Sequence, residues 1–90
     1  MLNTLLKARV ESFYEESNVY YFVICMYYEH TSWILHRRYS EFFEVHAKLE
    51  TKIFDLPTLP PKSWFKISDP EALDARREAL EAYVVSILTN

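Results

Sequence analysis

Pro57-Thr58-Leu59-Pro60-Pro61 can be neither helix nor central strand. Proline lacks a backbone N–H and fixes φ, so three prolines in five residues break both hydrogen-bond ladders. The run should be extended, polyproline-like backbone. It interrupts a chain of 90 residues, which is enough for one domain. Whatever packs must therefore do so on either side of this stiff connector.

Before the connector, the pattern reads as strands and then a helix. Leu6, Ala8 and Val10 alternate with Lys7, Arg9 and Glu11, as in a half-buried strand. Glu15-Glu16-Ser17-Asn18 is a polar turn. Val19 to Tyr28 is β-branched and aromatic, a second strand buried on both faces or nearly so. Glu29-His30-Thr31 turns the chain again, and a third strand runs from about Ser32 to Arg38. Short loops between three strands imply an antiparallel meander. From Ser40, a suitable N-cap, a helix should run to about Phe54, with Phe42, Val45, Leu49 and Ile53 at helical spacing.

After the connector, Ser68-Asp69-Pro70-Glu71 resembles a capping box with proline in the first turn. It opens a second helical region, bent or broken, that reaches nearly to the C-terminus. Its apolar stripe is Leu73, Leu80, Tyr83, Val84, Ile87 and Leu88. Arg76 and Arg77 fill a one-turn gap in that stripe. At least one guanidinium should lean toward the core side, and a buried one needs an anionic partner. The alternatives are that both snorkel outward or that one pairs with Asp74 or Glu78. The fold class is α+β, a three-stranded meander packed on a helical region.

Half the residues are apolar and 17% aromatic, which favours a packed core. Net charge is −3, which argues against nucleic-acid binding by bulk charge. A single cysteine, Cys25, excludes an internal disulfide and points to a reducing compartment. The longest uncharged run, Ser17 to Tyr28, is shorter than the roughly 20 residues a spanning helix needs. No secretory signal pattern opens the chain. The expectation is a soluble cytoplasmic domain, or one that meets membranes only from the surface. The chain contains no glycine, so a glycine-rich phosphate loop is excluded and turns must use Asn, Ser, Asp and Pro.

Anion chemistry concentrates at His36-Arg37-Arg38-Tyr39-Ser40-Glu41-Phe42. Here strand gives way to helix, and a helix start favours anions. The arginine fork matches phosphate oxygens, and a tyrosine beside it offers a flat face to a ring. A phosphorylated ring compound fits that combination. The competing reading of Arg37-Arg38-Tyr39 is a solvated strand end.

Three motifs in order then resemble a phox-homology (PX) domain, the phosphoinositide-binding module of sorting nexins and related proteins. They are Trp33 through Phe42 with its Arg-Arg-Tyr-Ser-x-Phe signature, Leu56 through Lys62, and Arg76 through Tyr83. The resemblance covers nearly all of residues 1–90 and implies a three-stranded antiparallel sheet against a helical subdomain, possessing no enzyme activity. It implies that Arg38 grips the 3-phosphate of an inositol head group and that Tyr39 forms a floor under the ring. Lys62 would meet the 1-phosphate. Arg76, rather than Arg77, would bond the 4- and 5-hydroxyls, favouring phosphatidylinositol 3-phosphate on endosomal membranes. Trp64 and Phe65 would dip into the bilayer, against the alternative that they cover the core. Arg37 and Lys66 would add basic charge beside it. The pattern departs from the family at Lys66, where glycine is frequent, at the acidic turn carrying Glu15 and Glu16, and at the C-terminus, where the domain is expected to stop short of a final helix.

Two other functions compete. Catalysis finds little footing, since His30, His36 and His46 lie on different elements without metal-ligand spacing. Ser40 with His36 or His46 lacks a third partner. A protein-interaction adaptor that keeps the PX shape with weak or no lipid binding is the runner-up. Pro57-Thr58-Leu59-Pro60 fits a minimal SH3-ligand pattern.

Overall fold

The computed structural model describes residues 6–63 and 66–89. Trp64 and Phe65 lie outside the described residues. The element order is β1 (Leu6–Glu16), β2 (Val19–Tyr28), β3 (Thr31–Arg37), α1 (Tyr39–Glu50) and α2 (Pro70–Thr89). The strands form one antiparallel sheet in the order β1-β2-β3. The connector from Leu56 to Ser63 is neither helix nor strand, as its prolines require.

Both hairpins close through two-residue turns, with Glu16 opposite Val19 and Tyr28 opposite Thr31. Turns this tight need left-handed backbone. Without glycine, Ser17 (φ 53), Asn18 (φ 68) and Glu29 (φ 54) adopt it. The polar turn is thus narrower than the composition suggests, and β1 runs on through Glu15 and Glu16.

A register shift between Val10 and Ser12 leaves Glu11 as the extra residue of β1. Because side chains alternate, one added residue flips everything after it. Ala8 and Val10 point inward before the shift, and Phe13 packs on the core after it, opposite Phe22. β2 is buried on both faces only at its middle. Phe22 and Ile24 enter the core, and Cys25 is buried on the opposite face. Tyr27 and Tyr28 are exposed. Burial pushes the Cys25 thiol pKa up, and the nearby Glu11 carboxylate adds to the effect, so the thiolate is disfavoured.

The first helix begins earlier than Ser40. Arg38 is the N-cap, with extended backbone (φ −83, ψ 159) and no side-chain capping bond. Glu41 reaches back so that its Oε1 accepts the Arg38 N–H at 2.8 Å. That acidic residue, three positions on, sets the start at Tyr39. The helix also ends early, at Glu50 rather than Phe54. The N–H groups of Lys52 and Ile53 turn back to the Leu49 carbonyl, and Thr51 Oγ1 donates to the Lys48 carbonyl. Of the anticipated stripe only Phe42 is buried, Leu49 is half-buried, and Val45 and Ile53 are exposed.

The second helix is one unbroken run of 20 residues. Asp69, not Ser68, caps it by accepting the Ala72 N–H at 3.0 Å, and Pro70 takes the first helical position. Leu73, Leu80 and Tyr83 are buried in the cluster with Val10, Phe22, Ile24 and Phe42 or beside it. The arginine gap resolves through Arg77. Its Nη1 donates to the Val10 carbonyl at 2.7 Å, while its Nε meets Asp74 Oδ1 at 2.7 Å. The Val10 N–H donates to Glu81 Oε1 at 2.9 Å. Val10 is fully buried, so these bonds satisfy backbone groups that water cannot reach. The Asp74 bond holds the Arg77 guanidinium still more firmly protonated, against the opposing effect of its burial.

Two outcomes follow for stability. Arg77→Met should strand the Val10 carbonyl and lower unfolding free energy by about 1–3 kcal/mol in urea titrations. Glu29→Gly should raise it by about 0.5–1 kcal/mol. The left-handed conformation costs a non-glycine residue about 1–2 kcal/mol, and the entropic cost of glycine offsets part of that. No change in the denaturation midpoint would refute the second expectation.

Candidate functional site

The start of α1 forms one wall of a cleft of about 340 Å³. Arg38, Tyr39 and Ser40 come from the β3–α1 junction, Lys62, Ser63 and Lys66 from the connector side, and Arg76 from α2. Asn18, Val19 and Tyr20 supply the β1–β2 turn side. Four cationic side chains thus border one cleft although residues 38 to 76 separate them in sequence. Arg37 is not among them. It sits over the neighbouring groove between β2, α1 and α2, near Glu41 at 3.9 Å.

The connector carries the geometry. Leu59 packs on the core, and the Pro60 carbonyl accepts a hydrogen bond from the Tyr39 hydroxyl. Next along, the Pro61 carbonyl accepts from Arg76 Nη2 at 2.9 Å. The Arg76 guanidinium lies 4.0 Å from the Tyr39 ring centre, a cation–π contact. Tyr39 therefore orients Arg76 as well as lining the cleft. Lys62 holds its ammonium 5.1 Å from the Phe43 ring centre. The Pro57-x-x-Pro60 run is not a free ligand strand, since Pro57 and Pro60 are half-buried and the Pro60 carbonyl is engaged.

Charge pairing separates the cations into two groups. Arg77 is paired with Asp74 and Glu78, and Arg37 with Glu41. Among the described residues no carboxylate pairs with Arg38, Lys62 or Arg76. In a chain of net charge −3, three such groups on one cleft leave local positive charge uncompensated. The Arg38 backbone also opens α1, whose first-turn N–H groups favour an anion.

Lys66, the departure from the family's frequent glycine, donates to both the Asn18 carbonyl and Asn18 Oδ1, each at 2.6 Å, and lies 5.4 Å from the Tyr20 ring centre. Sequence reading placed Lys66 near the site but gave no sign of this bridge, because Asn18 is 48 residues away. The signal available was the need of a left-handed Asn18 in a glycine-free turn. The contribution of the β1–β2 turn to the cleft was likewise not anticipated.

A larger cleft of about 680 Å³ lies between α1 and the connector. Among the described residues Lys62 is the only lysine or arginine on it, and it also carries Glu50, so it lacks the charge for an anion. Among the described residues there is no cluster of three or more His, Cys, Asp or Glu able to hold a metal ion. No described helix is long and apolar enough to cross a membrane.

Comparison with known proteins bears on the fold. The PX domain family profile matches residues 26–90. The X-ray structure of a designed CISK-PX domain superimposes with a TM-score of 0.88 at 31% identity, covering 93% of this chain and 85% of that one. Kinesin-like protein KIF16B from Homo sapiens and its Mus musculus counterpart are each 40% identical over 55 residues. That match takes in 59% of this chain, and the chain spans 4% of the length of either kinesin-like relative. Three antiparallel strands, two helices, the proline connector and the matched residues lead to one assignment: the chain belongs to the PX domain family.

Proposed function

We propose that this PX domain binds phosphatidylinositol 3-phosphate through the basic cleft and so attaches peripherally to endosomal membranes. PX domains are phosphoinositide-binding modules, which supports lipid binding and membrane targeting as the general role. The observation that carries the finer reading is that Arg38, Lys62 and Arg76 share a cleft and have no carboxylate partner among the described residues.

In this reading Arg38 takes the 3-phosphate, aided by the start of α1. Its planar fork offers two parallel charge-assisted bonds. Lys62 takes the 1-phosphate as a compact point charge. Arg76, held over Tyr39 and by the Pro61 carbonyl, offers its remaining donors to the ring hydroxyls. A hydroxyl is neutral and accepts a bond from arginine while donating elsewhere. An added 4- or 5-phosphate is bulkier, which makes Arg76 the discriminating residue. Tyr39 supports the inositol ring and Arg76 together. Trp64 and Phe65, beyond Lys62 in sequence, would enter the bilayer and contribute about 1.5–3 kcal/mol each if fully buried. Arg37 and Lys66 would lie beside the anionic surface.

Liposome sedimentation with and without phosphatidylinositol 3-phosphate tests the reading. Arg38→Ala should remove the lipid-dependent pelleting, with affinity for a soluble head group falling at least about tenfold, since a charged hydrogen bond is worth about 1.5–3 kcal/mol. Arg38→Lys should fail to restore it, because the fork is lost. Pelleting of Arg38→Ala equal to wild type would exclude the assigned site, and pelleting indifferent to the lipid would support the adaptor. Trp64→Ala should weaken vesicle binding far more than soluble head-group binding. Equal losses would assign Trp64 a structural role.

A further inference from the structure

We propose that Lys66 is a positioning residue, strapping the stretch that follows the connector to the β1–β2 turn and so fixing the mouth of the basic cleft, rather than a group that grips the ligand. The proposal rests on the cleft being the phosphoinositide site.

The argument begins with donor counting. An ammonium group has three N–H donors and no acceptor. Two of the Lys66 donors go to Asn18, one to its carbonyl and one to Oδ1, both at 2.6 Å. The Tyr20 ring lies 5.4 Å from the same nitrogen and takes up its remaining face. Lys66 is therefore engaged by its own chain, although it lies at the surface. Arg76 differs, since one hydrogen bond to Pro61 leaves most of its five donors unused. Lys62 is seen in contact with an aromatic face rather than with acceptors.

Asn18 is built for this grip. Its left-handed backbone (φ 68) turns the carbonyl and the side-chain oxygen to one partner. The two ends of the strap lie in different parts of the fold. Asn18 terminates a hairpin turn, and Lys66 belongs to the segment that also carries Lys62 and Ser63 on the cleft. The strap joins a hairpin turn to a stretch that is neither helix nor strand. Holding them together before the ligand arrives lowers the ordering cost of binding. Lys66 would thus influence affinity by holding in place the side of the cleft that it and Asn18 line.

A double-mutant cycle on the 90-residue chain tests this, with Lys66→Met, Asn18→Gly and the double variant. Glycine preserves the left-handed turn while removing Oδ1. The probe is a water-soluble, short-chain phosphatidylinositol 3-phosphate, with amide hydrogen exchange measured on the free protein. Each single variant should weaken binding about two- to tenfold, the range of one lost hydrogen bond. The double variant should be no weaker than the weaker single one. Exchange should rise at residues 18, 19 and 63 in Lys66→Met. Losses that simply add, or a loss in Lys66→Met with Asn18→Gly at the wild-type level, would overturn the proposal and make Lys66 a direct contact. Unchanged exchange in Lys66→Met would overturn it as well. Should the wild type bind none of the probe, the functional reading fails by itself, and the exchange rates alone then decide the strap.

Discussion

Two charged side chains on one helix hold the backbone of a single buried residue, and the site depends on that contact. Arg77 takes the Val10 carbonyl and Glu81 takes the Val10 N–H. Four residues apart, they lie on one face of α2 and fix its height and rotation against β1. Arg76 is the next position round the helix, about 100° away. The same register that satisfies Val10 therefore swings Arg76 over Tyr39 and toward the Pro61 carbonyl. A structural arginine and a cleft-lining arginine stand side by side, and the first aims the second.

Partnering also explains how an acidic chain keeps a basic cleft. Acidic groups neutralise the arginines that serve the framework, Arg37 and Arg77. Arg38, Lys62 and Arg76 are held instead by carbonyls, rings and backbone placement, none of which cancels their charge. The connector is central here. Consecutive carbonyls of Pro60 and Pro61 anchor Tyr39 and Arg76, and Lys62 follows directly. The prolines keep the run out of helix and sheet ladders, so its carbonyls remain available to side chains while the chain stays stiff.

Much of this was legible in the sequence because it rests on local chemistry. Alternation and β-branched runs marked the strands, and the prolines marked the connector. Arg38, Tyr39, Lys62 and Arg76 were named from three motifs, and the fold brings them to one cleft. What escaped depended on contacts between distant residues or on one-residue offsets. Ser40 looked like the better cap by residue type, yet Glu41 sets the start one residue earlier. The extra residue at Glu11 leaves no mark in a pattern that alternates cleanly up to it. Spacing could not divide Arg76 from Arg77. Only Val10, 67 residues from Arg77, decides which of them turns inward. The Lys66 bridge spans 48 residues and was equally out of reach.

The clasp on Val10 has a consequence for how the molecule is made. The three strands join through two-residue turns and can pair as soon as each is available. Val10 must wait for partners 67 and 71 residues downstream. Such long-range closure is slow compared with hairpin formation. During synthesis β1 emerges before α2, and until α2 follows, the Val10 N–H and carbonyl can bond only to water or to neighbouring strands. The clasp closes only once α2 has formed, so the second helix completes the first strand.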